Sequence, residues 1–85
     1  MSVQQTLNER QSTHGDFADH ARATQMLKTV IQNQPGWKDL NAMQRESLDM
    51  IAHKIGRILA GNPNFKDHWV DGSGYFELIA RTLDG

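Results

Sequence analysis

The stretch NAMQRESLDMIAHKIGRILAG, residues 41–61, decides the fold. Leu48, Ile51, Ile55, Ile58 and Leu59 recur within it at intervals that put them on one face of an α-helix. Asn41 with Gln44 three residues on has the spacing of a capping box, and Gly61 is of the type favoured just past a helix end. This spacing predicts a central helix from Asn41 to Gly61.

Outward from that helix, Thr13-His14-Gly15, Gln34-Pro35-Gly36 and Gly61-Asn62-Pro63-Asn64 punctuate the chain and leave four blocks, each reading as helix. The first, with Ser2 as cap and Val3 and Leu7 one turn apart, is expected to end near Arg10. The second opens near Asp16, where Thr13 and Asp16 have capping-box-like spacing, and runs to Gln34 before the proline. Phe17, His20, Thr24, Leu27 and Ile31 form its stripe, widened by Met26 and Val30. The last block starts after Asn64 and places Trp69, Phe76, Ala80 and Leu83 on one side if it stays helical. Gly72 and Gly74 oppose that, each costing about 1 kcal/mol against Ala in a helix interior, so a kink or a close backbone approach is expected there. The expectation is an all-α fold: one domain over residues 1–85, a compact bundle of about four helices. Its predicted core is Leu48, Ile51, Ile55, Ile58, Trp69 and Phe76, completed by Leu27 and Ile31.

Composition narrows the function. Eighty-five residues make one domain. A hydrophobic content of 38% lies below the roughly 45–50% of soluble domains, so the core is thin and a two-fold homodimer is a reasonable way to gain stability. The absence of cysteine excludes disulfides, zinc-thiolate sites, iron-sulfur clusters and thiol nucleophiles. No apolar run approaches a membrane span, and the first ten residues lack the apolar core of a secretory signal, which makes the cytoplasm the expected location. Nine basic and ten acidic side chains are spread evenly, which argues against nucleic acid as a partner.

Two groups of residues carry candidate chemistry. Glu46, Asp49, His53 and Arg57 fall in one stripe of the central helix, opposite Leu48, Ile51 and Ile55. They are either a solvated face with ordinary charge pairs or the wall of a site. In the last block, His68, Asp71 and Tyr75 share a stripe distinct from that of Trp69 and Phe76, with Asp67 placed to face a helix dipole. His14 and His20 read more simply as a local hydrogen-bonding residue and a core residue. The four histidines lie in separate elements without zinc-ligand spacing, and neither a nucleophile elbow nor a phosphate loop is present.

Three segments carry a resemblance that covers nearly the whole chain. These are Glu-Arg-x-x-x-His-Gly-Asp-Phe from Glu9 to Phe17, Met-Ile-Ala-His-Lys-Ile-Gly-Arg from Met50 to Arg57, and Asp-His-Trp-Val-Asp-Gly-Ser-Gly-Tyr from Asp67 to Tyr75. The chain resembles a family of small phage and prophage proteins of uncharacterised function, and through them the MazG-like all-α nucleotide pyrophosphohydrolases. In that superfamily Glu-x-x-Glu and Glu-x-x-Asp on neighbouring helices bind magnesium, which carries a nucleoside triphosphate. The resemblance places Glu46 and Asp49 in the first motif and His68 and Asp71 in the second. Asp49 is a methylene shorter than glutamate, and His68 offers nitrogen where magnesium prefers oxygen. The resemblance thus implies magnesium on Glu46, Asp49 and Asp71 and phosphate on Lys54 and Arg57, with His53, His68 and Tyr75 behind them. The alternative is a non-catalytic phage accessory protein that binds a host or phage protein through a helical face. The sequence leaves open whether the chain is an enzyme.

Overall fold

The computed structural model describes residues 2–85, and its elements follow local chemistry closely. Ser2 and Gln5 close a capping box at the start of α1, Val3–His14. Nothing breaks the helix at Arg10, and it continues one turn further until Gly15, whose φ of 82° favours a residue without Cβ. The second helix, α2, spans Phe17–Gln32. Asp16 precedes it but makes no side-chain cap bond, while Thr13 Oγ1 donates to the Arg10 carbonyl, so the expected Thr13/Asp16 box does not form. Helix α2 stops two residues before the sequence reading, where the Asn33 and Gln34 side chains bond to the carbonyls of Thr29 and Val30. A 3-10 turn, Pro35–Asp39, follows, with Arg45 lying 5.4 Å from the Trp37 ring centre.

Helix α3, Ala42–Ala60, carries the predicted Asn41/Gln44 capping box and ends at Gly61. Helix α4, Lys66–Ala80, runs unbroken through Gly72 and Gly74, and beyond the adjoining helix backbone nothing lies within 4 Å of where a Cβ would stand on either. No backbone approaches them, and packing against α3 outweighs their low helix propensity. The described residues are thus all-α, and no helix among them is long and apolar enough to cross a membrane.

The central helix α3 is flanked by α2 on one side and α4 on the other, with α1 lying across the α2–α3 end. The interior differs from the predicted core. Ile51 and Ala52 are buried together with Ser47, Gly56, His20, Thr24 and His68. Ile55 is 36% exposed, Trp69 58% and Phe76 59%, while Leu27, Ile31, Leu48 and Ile58 are half-buried. The cause is the layered arrangement: α2 meets the small residues of α3, and α4 meets the Ser47/Ile51 side. The edge of the apolar stripe that carries Ile55 and Leu59 falls between the two and is left exposed. At Gly56 an added Cβ would overlap Thr24 Oγ1 and press on the His20 carbonyl, so only glycine permits this α2–α3 approach.

Candidate functional site

The extra turn of α1 is what builds the site. It puts Arg10 and His14 four residues apart on one helical face. The polar stripe of α3 supplies His53 and Arg57 at the same spacing, and α2 supplies His20. These five side chains, with Leu7 and Phe17, line a cavity of ≈ 390 Å³ beneath α1. Its geometry is fixed where the end of α1 meets the end of α3. A Cβ on Gly15 would overlap the Ala60 carbonyl, and one on Gly61 would meet the backbone of Thr13 to Gly15. The Thr13 carbonyl accepts from the Asn62 N–H at 3.1 Å and lies 3.1 Å from His68 Nε2, which donates to it. His68 is 2% exposed and sits edge-on to His14, with ring centres 4.7 Å apart.

The cavity holds two arginines and a single carboxylate, Asp16, and neither arginine is in an ion pair among the described residues. Those ion pairs are Arg22–Asp19, Lys54–Asp71 and Arg81–Glu77. Burial, and then the charge of Arg10, lower the pKa of Arg57, while Asp71 and Tyr75 act in the opposite direction. Desolvation first and Arg57 second push His53 down to about 4, and the same two causes lead for His14, also about 4. His20 is lowered in the same way, and its ring stands edge-on to His53 at 4.5 Å. Its buried Nδ1 has no hydrogen-bond partner. At neutral pH these three imidazoles are uncharged, so the cavity's positive charge comes from the two arginines. Asp16 is the one carboxylate in the lining, at the start of α2, whose first turn has no side-chain cap.

The residues singled out in the sequence separate into different places. Lys54, with its side chain 12% exposed, pairs with the half-exposed Asp71 at 3.1 Å on the α4 side of α3. Asp49 accepts from Gln32 Nε2 at 3.4 Å, and Glu46 is exposed. Among the described residues no three His, Asp or Glu side chains are placed to share a metal ion. His53 is in the cavity wall, His68 is the joint between α1 and α4, and Tyr75 lines a separate groove beside Phe76. Of the Glu46/Asp49/His53/Arg57 stripe, His53 and Arg57 line the cavity beneath α1.

Arg10, His14 and His20 were not read as site residues from the sequence. A signal was present in the Glu9–Phe17 segment, where Arg10-x-x-x-His14 has one-turn spacing. Ending the first helix at Arg10 hid it.

A family model described as a domain of unknown function, DUF6378, matches residues 2–83. No curated protein and no solved structure matches the chain.

Proposed function

The chain belongs to the DUF6378 family, and we propose that it binds a phosphate-bearing anion in the cavity beneath α1. The observation that carries this reading is Arg57: a partly desolvated guanidinium that lines the same cavity as Arg10 and is in none of the ion pairs among the described residues. Partly buried like charges destabilise one another, and a bound anion relieves the strain by bonding to both planar, multi-donor groups. The volume of ≈ 390 Å³ lies within the range of small-molecule sites, and Leu7 and Phe17 offer an apolar wall for the rest of a nucleotide-sized ligand. A nucleoside triphosphate, the ligand implied by the MazG-like and phage resemblance, fits this chemistry. Within that reading Arg57 keeps its phosphate role and Arg10 replaces Lys54 as the second cation.

The test is thermal unfolding in inorganic pyrophosphate. The parent should gain stability as ligand rises, by about 2.7 kcal/mol at a hundredfold excess over the dissociation constant. Arg57→Gln and Arg10→Gln should remain folded and lose that gain. A parent melt unchanged by millimolar pyrophosphate at low salt sinks the proposal.

The second reading, a non-catalytic protein acting through a helical face, is supported by the exposed apolar side chains of α3 and α4, among them Leu59 at 69%.

A further inference from the structure

The apolar stripe of α3 and that of α4 lie on one side of the molecule. The two helices run antiparallel: Lys54 meets Asp71, and a groove of ≈ 340 Å³ is lined by Leu48 from the first turns of α3 and by Phe76 and Leu83 from the end of α4 and beyond. On α3, Ile55 lies two turns beyond Leu48 on the same stripe, and Leu59 one turn further. On α4, Trp69 lies two turns before Phe76. The result is a two-helix face in which Ile55, Leu59, Trp69, Phe76 and Leu83 are 36%, 69%, 58%, 59% and 57% exposed. Scattered single hydrophobics on a surface are ordinary; a contiguous face holding a tryptophan and a phenylalanine is the composition of an interface.

Surface area indicates what covers it. A compact monomer of this mass exposes about 5,100 Å², whereas this chain exposes 6129 Å². The excess over the whole chain, about 1,000 Å², includes α1, which buries no residue, and is of the order of the roughly 800 Å² that each partner hides in a standard stable interface. The radius of gyration points the same way, at 14.6 Å against about 12 Å for a compact chain of this length. We infer that a second copy of this chain packs on the Leu48/Ile55/Leu59 and Trp69/Phe76/Leu83 face, making a two-fold dimer whose interface is a four-helix layer of two α3–α4 hairpins. A two-fold contact needs one self-complementary patch, and an apolar face with no charged side chain among its six principal residues provides one. The face is turned away from His53 and Arg57 on α3, so pairing leaves the anion cavity open and does not depend on it.

The experiment is sedimentation equilibrium on the full chain. The parent should sediment at twice the 9.6 kDa chain mass. Phe76→Glu combined with Leu59→Glu should sediment at the chain mass while keeping its helical circular dichroism, because both side chains are exposed in the single chain. A parent that stays at the chain mass at high micromolar concentration overturns the inference, whatever else binds the face. So does a dimer that survives the double substitution. Because the chain has no cysteine, single cysteines give a second measurement that does not rely on a disruptive variant. A short bis-maleimide should join two chains carrying Ile55→Cys or Phe76→Cys and leave Ser12→Cys unjoined. Equal joining at all three positions counts against this face.

Discussion

Lys54 and Arg57 stand one turn apart on α3 and end in opposite electrostatic circumstances. At the α3–α4 seam, Lys54 is nearly buried but meets Asp71 at 3.1 Å, so the seam is electrically closed. Beneath α1, Arg57 shares a cavity with Arg10 and three histidines whose pKa values burial lowers. The comparison teaches that the seam pairs its charges within the fold, whereas neither arginine of the cavity is in an ion pair among the described residues. Like-charge crowding in a partly dry site has a cost, and it is tolerated where binding needs it.

The largest expected effect sharpens the cavity side. Gly56→Val places methyl groups where Thr24 Oγ1 and the His20 carbonyl already stand, so it should destabilise the chain by about 3 kcal/mol, read by urea unfolding. It should also disturb the His20–His53 wall. An unchanged urea midpoint would mean that the α2–α3 crossing is looser than the structure describes.

Acid comes next. His14 and His53 have folded pKa values of about 4, below the 6.5 of the unfolded chain. Their contribution to stability is therefore complete above pH 6.5 and lost as pH falls toward 4, when the unfolded state takes up protons that the folded state resists. With partial exposure discounted, the loss is on the order of 2 kcal/mol for the pair, measured by urea unfolding at stepped pH. Pyrophosphate should blunt this loss, because an anion beside the imidazoles favours their charged form. Equal stability at pH 7 and pH 4.5 would break the comparison at its cavity end.

The smallest effect tests the seam. Asp71→Asn should cost about 1 kcal/mol, since the carboxylate is half-exposed and solvent screens much of the pair. It should leave the pyrophosphate response of the parent intact. A variant that lost that response would return Asp71 to the functional site and refute the division drawn between the two regions.

Helix content was legible because it is written in local chemistry. The Asn41/Gln44 box, Gly61 and the Ser2 cap act on their own backbone neighbours and appear where the spacing put them. The end of α1 was misplaced because no residue at Arg10 stops a helix; Gly15 does. The site was partly legible: Arg57 and His53 were singled out, but Arg10 and His14 belong to a helix thought to have ended. Asp71 was legible as a residue that could carry chemistry, but its pairing with Lys54 depends on how α3 and α4 sit together.

By itself, the sequence determined an all-α chain with a central α3, because periodicity, caps and turn residues are properties of adjacent positions. Only the tertiary structure decided which side of that helix would be interior. The most hydrophobic stripe did not win. Small residues let backbones approach, so α2 settled against Ala52 and Gly56, and α4 against the Ser47/Ile51 side, leaving Ile55, Leu59, Trp69 and Phe76 outside. The same placement of helices sent Lys54 to a carboxylate and Arg57 to another arginine. That outcome depends on distances between segments far apart in the chain, which residue spacing does not encode.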